Sequence, residues 1–220
     1  MEGPLPTEGI AMPEMVRKER NALTWEQVLM LADQMPKHRN ILILLSQTGM
    51  RIGEASGLRW KYVNLTDEWR VVDGEALPPN SILVSSSWTR RQRTSTKNRS
   101  WRKIPLTSEA WVAITLQWEM SRFRGEDQPV FATKAGTPFN AWNTNKRVLK
   151  PAAKKIGMPW ISWHHLRHTT ATLADKAGLT IAEKQKILGH RTADISTHYT
   201  HPEMERVREA MENMTKVKPN

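Results

Sequence analysis

The last quarter of the chain reads His164-His165-Leu166-Arg167-His168, then Leu188-Gly189-His190, and then Tyr199. Histidine exchanges protons near neutral pH, and the arginine guanidinium fits phosphate oxygens. A tyrosyl oxygen can act as a covalent nucleophile, and Tyr199 is one of only two tyrosines in the chain. Together these residue types predict a phosphodiester-cleaving site with a tyrosine nucleophile.

The charge and composition of the chain indicate which classes of partner it can bind. Its 220 residues carry a net charge of +11, which favours binding to an anionic polymer such as DNA or RNA. A basic surface without such a partner is the alternative. The chain has no cysteine, which excludes disulfides and thiolate zinc sites. No apolar run approaches the ~20 residues that span a bilayer, so we expect a cytoplasmic protein that does not contact membranes.

Capping residues and helix breakers indicate where order begins. Thr24, with Gln27 three residues later, predicts the capped start of a helix. The apolar run at residues 41–45 leads to Gly49, which predicts a buried helix with a glycine stop. We therefore expect a flexible arm or linker, one catalytic domain and a short tail, at residues 1–22, 23–215 and 216–220.

Further helices are predicted in the second half of the chain. Helical patterns cover residues 108–123, residues 140–156, a segment from the capping pair Thr180 and Glu183 to Gly189, and a last helix that begins near Pro202. The last helix carries an apolar stripe made of Met204, Val207, Met211 and Met214.

The middle of the chain predicts a small sheet. Residues 65–80 are rich in turn formers, whereas residues 81–87 and 101–106 are typical of strands. The basic segment at residues 90–99 lies between these strands, so we expect a hairpin whose tip is near residues 97–98. The predicted fold class is α+β, mainly α with one small antiparallel β-sheet.

A second arginine-containing segment lies far upstream, Thr48-Gly49-Met50-Arg51-Ile52-Gly53-Glu54. With it, the sequence resembles the catalytic domain of the tyrosine recombinases, the phage integrase family. The upstream segment is similar to the first arginine box of that family, residues 164–169 to its histidine-x-x-arginine box, and residues 188–201 to its closing segment. The resemblance extends from about residue 23 to about residue 213, and three motifs in the right order make it specific.

The resemblance implies the fold of the integrase catalytic domain and the chemistry of site-specific recombination, in which DNA strands are cleaved and rejoined. Tyr199 would be the nucleophile, forming a 3′-phosphotyrosyl bond and releasing a 5′-hydroxyl. Arg51 and Arg167 would hold the non-bridging oxygens of the scissile phosphate. Ionising a tyrosine of pKa near 10 costs about 4 kcal/mol at neutral pH, and cationic groups converging on the site reduce that cost.

The resemblance also implies supporting roles. His164 would assist proton transfer at the nucleophile, and His190 would donate a hydrogen bond to the phosphate. Lys97 would protonate the leaving oxygen, which suits an amine whose pKa falls near other cations. Glu54, one helical turn after Arg51, would support that arginine without taking part in the chemistry.

Two features depart from the family pattern. His165 stands where the family usually carries an acidic residue, so the local role of that acid is in question here. The segments at residues 66–80 and 90–93 are longer than the family minimum, and they are predicted either to contact DNA or to be enlarged loops.

No cofactor is expected, because a covalent intermediate conserves the energy of the phosphodiester and needs neither ATP nor a metal ion. Three alternatives remain from the residues alone. A zinc hydrolase could use His164 and His168, although the glutamate of a His-Glu-x-x-His motif is missing. A DNA-binding relative without activity and a type IB topoisomerase, which nicks and reseals one strand, share the charge and much of the site.

The resemblance implies double-stranded DNA as the partner, a homo-tetramer on DNA and a monomer in its absence. Family members usually carry an N-terminal helical domain that clamps DNA, and we expect this sequence to be either a fragment without it or a short relative. The terminal helix of the family often docks into a neighbouring protomer. We expect the apolar stripe of the last helix to do the same; packing against its own core is the alternative.

Overall fold

The computed structural model describes residues 22–89, 92–95, 101–189 and 201–217. Helices make up most of these residues, as the sequence predicts. The α-helices are α1 (Trp25–Asp33), α2 (Arg39–Thr48), α3 (Ile52–Gly57), α4 (Ser108–Met120), α5 (Ala141–Thr144), α6 (Lys150–Lys155), α7 (Trp163–Lys176), α8 (Ile181–Leu188) and α9 (His201–Glu212). Short 3₁₀ turns occupy Pro36–His38, Trp60–Tyr62 and Asn213–Thr215, and a π-helical turn at Asn145–Leu149 joins α5 to α6.

Strands form one three-stranded sheet and two hairpins within the described residues. The strands are β1 (Val63–Asn64), β2 (Arg70–Val72), β3 (Glu75–Leu77), β4 (Ser81–Val84), β5 (Ser86–Thr89), β6 (Gln92–Ser95) and β7 (Arg102–Pro105). The sheet has the order β1-β4-β7, and both of its strand pairs are antiparallel. The prediction of a mainly helical chain with small antiparallel β-structure is confirmed.

Helix α2 is the centre of the core. Every residue from Asn40 to Thr48 is buried, and α2 packs against α1, α4 and α7. The predicted helix start is confirmed, because the Thr24 hydroxyl accepts the Gln27 amide while the Gln27 side chain accepts the Thr24 amide. The predicted glycine stop is also confirmed: Gly49 has a φ of 62°, a left-handed conformation that glycine adopts without steric cost.

The hairpins differ from the prediction. Residues 81–87 are not one strand, because β4 ends at Val84 and β5 starts a separate hairpin with β6. Thr89 pairs with Gln92 in this hairpin, and the predicted tip near residues 97–98 stays a prediction. Residues 97–98 themselves lie outside the described residues.

Two glycines of α3 let the β5 strand approach closely. A Cβ added to Gly53 would lie 2.6 Å from Ser87 Oγ, and one added to Gly57 would lie 3.1 Å from the backbone nitrogen of Trp88. A methyl group at either position would therefore displace the Ser87 side chain or the β5 backbone. These two glycines of α3 therefore allow the β5 strand to lie directly against the helix.

The segment expected to be only turn-rich contains the β2–β3 hairpin. Its turn is Asp73-Gly74, with φ values of 49° and 83°, as a two-residue turn between antiparallel strands requires. The Tyr62 hydroxyl donates to the Asp73 carboxylate at 2.6 Å, which ties this hairpin to the sheet. Tyr62 therefore has a structural role, as its position after a helix end suggests.

The terminal helix α9 packs against the chain's own core. Met204, Val207, Met211 and Met214 are all buried, with at most 4% of each residue exposed. The last residue of α9, Glu212, accepts hydrogen bonds from the Ser108 amide and hydroxyl at the start of α4. In the single chain the apolar stripe is thus buried against its own core, and docking into a neighbouring protomer on DNA stays a prediction.

No helix in the described part of the chain is long and apolar enough to cross a lipid bilayer.

Truncation of the buried stripe should destabilise the whole domain. Met211→Ala leaves a cavity in the core, and we expect the free energy of unfolding to fall by about 2–4 kcal/mol in urea denaturation. Glu209→Ala, on the exposed side of the same helix, is the matched control and should change it by less than about 0.5 kcal/mol. Equal stabilities of the two variants would show that α9 is not packed on this core.

Candidate active site

The first arginine box places Arg51 at the start of α3. Arg51 is the residue that precedes the helix, and its backbone amide donates to Glu54 Oε2 at 2.7 Å. Its side-chain Nη1 donates to the other oxygen of the same carboxylate at 3.0 Å. The predicted support of Arg51 by Glu54 is therefore a double contact, which holds both the backbone and the guanidinium of the arginine.

A second arginine shares the Glu54 carboxylate. Arg102, at the start of β7, donates from Nη1 to Oε1 at 3.1 Å and from Nη2 to Oε2 at 2.5 Å. Both side chains are almost fully buried, with 5% and 3% exposed. Sequence reasoning assigned no role to Arg102, because nothing local in a basic segment marks one arginine as buried.

The electrostatics of Glu54 follow from these contacts. Burial alone would raise the pKa of this carboxyl group, but the charge and hydrogen bonds of Arg102, together with the contacts from Arg51, lower it overall. Glu54 is thus ionised at neutral pH. A carboxylate whose two oxygens already accept four hydrogen bonds has no capacity left to serve as a base.

Arg167, in the histidine-x-x-arginine box, contacts both the first arginine box and the closing segment. It lies on α7, and its Nη1 donates to the Gly49 carbonyl at 2.8 Å while its Nη2 donates to the Leu188 carbonyl at 2.5 Å. Burial, and then the charges of Arg51 and Arg102, lower the pKa of Arg167 to about 10, with Glu54 opposing the shift. The group remains a cation at neutral pH, and each Nη carries a second hydrogen besides the one that it donates to these carbonyls.

The packing around these carbonyls requires the glycine at residue 49. A Cβ added there would lie 2.5 Å from Leu188 Cδ2 and 3.2 Å from Thr170 Cγ2. The Thr170 hydroxyl donates to the Ser46 carbonyl in the last turn of α2 at 2.8 Å. The ends of α2 and α8 and the middle of α7 are therefore held within van der Waals contact.

The histidines of the histidine-x-x-arginine box differ in their surroundings. His164 is exposed and lies three positions before Arg167 on α7, which places both on one side of the helix. His165 Nδ1 accepts the Ser162 amide at 3.1 Å and lies 2.8 Å from the Ser162 hydroxyl. The imidazole thereby caps the start of α7, a task that an acidic side chain at this helical position can also perform.

The structure describes only part of the predicted site. Arg51 and Arg167 lie near each other and near Glu54, and His164 lies on the helix that carries Arg167. Lys97, His190 and Tyr199 lie outside the described residues. Within the described ranges, no group of three or more histidine, cysteine, aspartate or glutamate side chains is arranged to hold a metal ion.

The arrangement is suited to binding an anion. Arg51 and Arg102 contact the Glu54 carboxylate, and Arg167 lies close enough to interact electrostatically with all three, so the cluster keeps an excess of positive charge. About half of the Arg51 side chain is exposed, whereas Arg102 is enclosed. A phosphodiester can therefore reach Arg51 directly, and the buried arginines strengthen the field that attracts it.

Loss of the buried carboxylate should destabilise the fold. Glu54→Gln leaves the Arg102 charge without a partner, and we expect the free energy of unfolding at pH 7 to fall by about 3 kcal/mol in urea denaturation. Because the pKa of Glu54 is lowered in the folded state, its contribution is present above the unfolded value and is lost as the pH falls through the folded one.

The difference between wild type and Glu54→Gln should therefore shrink as the pH falls below about 4.3. Glu126→Gln is the matched control, since Glu126 is 80% exposed and lies 3.9 Å from its partner Arg70. A Glu54→Gln protein as stable at pH 7 as this control would contradict the buried network.

Comparison with known proteins reveals relatives along most of the chain. The tyrosine recombinase XerC of Xylella fastidiosa (strain 9a5c) is 31% identical over 206 residues, which cover 89% of this chain and 61% of the relative. The integrase of Mycobacterium phage L5 is 29% identical over 210 residues, covering 90% and 54%. The chain thus spans less than two thirds of the length of these relatives.

Solved structures share the architecture. The Tn1549 transposon integrase, in complex with a circular intermediate DNA, has a TM-score of 0.68 and 22% identity, with 88% of this chain and 68% of that chain covered. This likeness confirms the predicted fold. The model of the phage integrase family matches residues 21–206, which include all three motif boxes. The chain belongs to the phage integrase family.

Proposed function

We propose that this chain is the catalytic part of a site-specific DNA recombinase that cleaves and rejoins strands through a 3′-phosphotyrosyl intermediate on Tyr199. The observation that carries the proposal is the convergence of Arg51 and Arg167, from boxes far apart in the sequence, on one carboxylate-centred cluster. Membership of the phage integrase family supports it.

In the cleavage step, the Tyr199 oxygen attacks the scissile phosphorus, and its proton passes to His164. The bond from phosphorus to the 5′ oxygen breaks, and Lys97 donates the proton that turns this oxygen into a hydroxyl. Rejoining reverses the step: the 5′-hydroxyl of a second strand attacks the phosphotyrosine and releases the tyrosine. Two bonds exchange without loss of phosphodiester energy, so the reaction needs no external energy source.

The arginines act on the charge that develops during this exchange. The phosphorane-like transition state carries more negative charge on its non-bridging oxygens than the diester does, and fixed cations stabilise it preferentially. Arg51 is held by Glu54 at backbone and side chain, and Arg167 is held by the Gly49 and Leu188 carbonyls. Both cations are therefore oriented before DNA binds, as such stabilisation requires.

The proposed partner is duplex DNA, on which four protomers assemble, whereas the free chain is a monomer. The net charge of +11 supports a polyanionic partner. The related Tn1549 integrase was solved with DNA bound. His190 would complete the phosphate contacts by donating a hydrogen bond.

The role of Tyr199 is tested by removing one oxygen atom. Tyr199→Phe should abolish the covalent protein–DNA adduct formed on nicked duplexes randomised around the nick, while DNA binding is retained. The adduct is measured by denaturing electrophoresis. Tyr62→Phe is the matched control, since it removes the only other tyrosyl oxygen of the chain. The Tyr62 hydroxyl contacts Asp73 in the β2–β3 hairpin, so the Tyr62→Phe protein should still form the covalent adduct.

An adduct from Tyr199→Phe would refute the recombinase proposal. A wild-type protein that binds DNA but forms no adduct would favour the DNA-binding relative without activity. Activity lost on chelation of metal ions would favour the zinc hydrolase. Nicking and resealing of one strand without exchange between duplexes would favour the topoisomerase.

The role of Lys97 is tested by changing the leaving atom. Lys97→Ala should slow cleavage by about 10²-fold or more, and a substrate with sulfur in place of the 5′ bridging oxygen should restore the rate, because a thiolate leaves without protonation. Arg51→Ala is the control: it acts on non-bridging oxygens, so sulfur should not rescue it. If Lys97→Ala is not rescued, the general acid is another residue.

A further inference from the structure

Among the residues of the site that the structure describes, Arg102 is a strongly buried cation that the proposed chemistry leaves without a task. Its three side-chain nitrogens all donate inward: Nη1 and Nη2 to Glu54, and Nε to the Ile187 carbonyl at 2.8 Å. Only 5% of the side chain is exposed. A guanidinium in this position cannot contact a phosphate directly, so its effect on the site must pass through the groups that it holds.

Those groups lie in two segments that are far apart in the sequence, α3 and the end of α8. Glu54 in turn holds Arg51 at the start of α3. Ile187 lies in the last turn of α8, immediately before Leu188, whose carbonyl accepts from Arg167. Arg102 therefore links the support of one phosphate-binding arginine to the helix end that supports the other.

The fit at the end of α8 is close. Gly189 has a φ of 66°, and a Cβ added there would lie 3.0 Å from Arg102 Nη1 and 3.2 Å from its Cζ. The guanidinium thus lies directly beside the glycine at which α8 ends. The planar guanidinium of Arg102 holds a carboxylate and a carbonyl at fixed positions relative to each other. A lysine side chain, with a single ammonium group, cannot reproduce this arrangement.

We propose that Arg102 is a positioning residue for DNA strand cleavage, setting Arg51 and the C-terminal end of α8 in a fixed relation to each other. This inference rests on the proposed function. It assigns to Arg102 no contact with DNA: the residue acts through Glu54 and through the backbone of α8.

A pair of reciprocal substitutions on β7 tests the proposal. Arg102→Lys keeps the positive charge beside Glu54 but replaces the planar guanidinium, with its three nitrogen donors, by a single ammonium group. Lys103→Arg is the matched control, because Lys103 is the next residue of the strand, is also buried, and pairs with Glu75 at 3.2 Å on the other face of the strand. Both variants conserve the net charge of the chain.

Three quantities are compared with wild type: the single-turnover rate of adduct formation on saturating nicked DNA, the DNA affinity, and amide hydrogen exchange in the last turn of α8. Arg102→Lys should lower the rate by about 10²-fold, as misplacement of a catalytic group by about 1 Å does. It should leave the affinity within about twofold, because DNA contacts are kept, and should accelerate exchange at the end of α8. Lys103→Arg should match wild type in all three.

An Arg102→Lys rate within about twofold of the Lys103→Arg rate would overturn the proposal, as would unchanged exchange in α8. A parallel loss of rate and affinity would also overturn it, because that pattern indicates general damage or a direct DNA contact. If wild type forms no adduct, the proposed function fails, and the exchange measurement alone then decides whether Arg102 fixes the end of α8.

Should Arg102→Lys not fold, the double variant Arg102→Met, Glu54→Gln removes both buried charges together and so leaves neither unpaired. We expect it to fold and to remain slow. A folded double variant with the wild-type rate would overturn the proposal.

Discussion

The site depends on one buried carboxylate that holds two arginines. Glu54 accepts the backbone amide and Nη1 of Arg51 and both terminal nitrogens of Arg102, so its oxygens are saturated. A buried ion pair is maintained only when its hydrogen bonds are complete, since desolvation of each charge costs several kcal/mol. The arrangement therefore tolerates little displacement, and this intolerance fixes the start of α3 against β7.

Arg167 extends the same constraint to the rest of the domain. It donates to the carbonyls of Gly49 and Leu188, each near the end of a helix, where backbone oxygens lack partners within the helix. Negative potential at helix C-termini favours a cation there, which helps to explain how a buried guanidinium with a pKa lowered to about 10 stays charged. The cations of the site are thus stabilised by backbone and by one carboxylate, and their outward charge stays available for a phosphate.

Local signals in the sequence predicted the parts of the fold that local chemistry determines. The Thr24 cap, the stop at Gly49 and the stop at Gly189 need only a few neighbouring residues, and all three are confirmed. The β2–β3 hairpin was missed although Asp73-Gly74 is a strong hairpin signal. The packing of β5 on α3 and the burial of Arg102 against α3 and α8 carry no such signal, because they are contacts between segments that are distant in sequence.

A crystal structure of the Tyr199→Phe protein, bound to the duplex that it selects from a random pool, tests the central claim most directly. The account predicts one phosphate whose non-bridging oxygens lie within about 3 Å of nitrogens of both Arg51 and Arg167. It also predicts that the contacts of Glu54 with Arg51 and Arg102 are the same as in the free chain. A phosphate seated away from these two arginines, or a Glu54 released from Arg102 on binding, would contradict it.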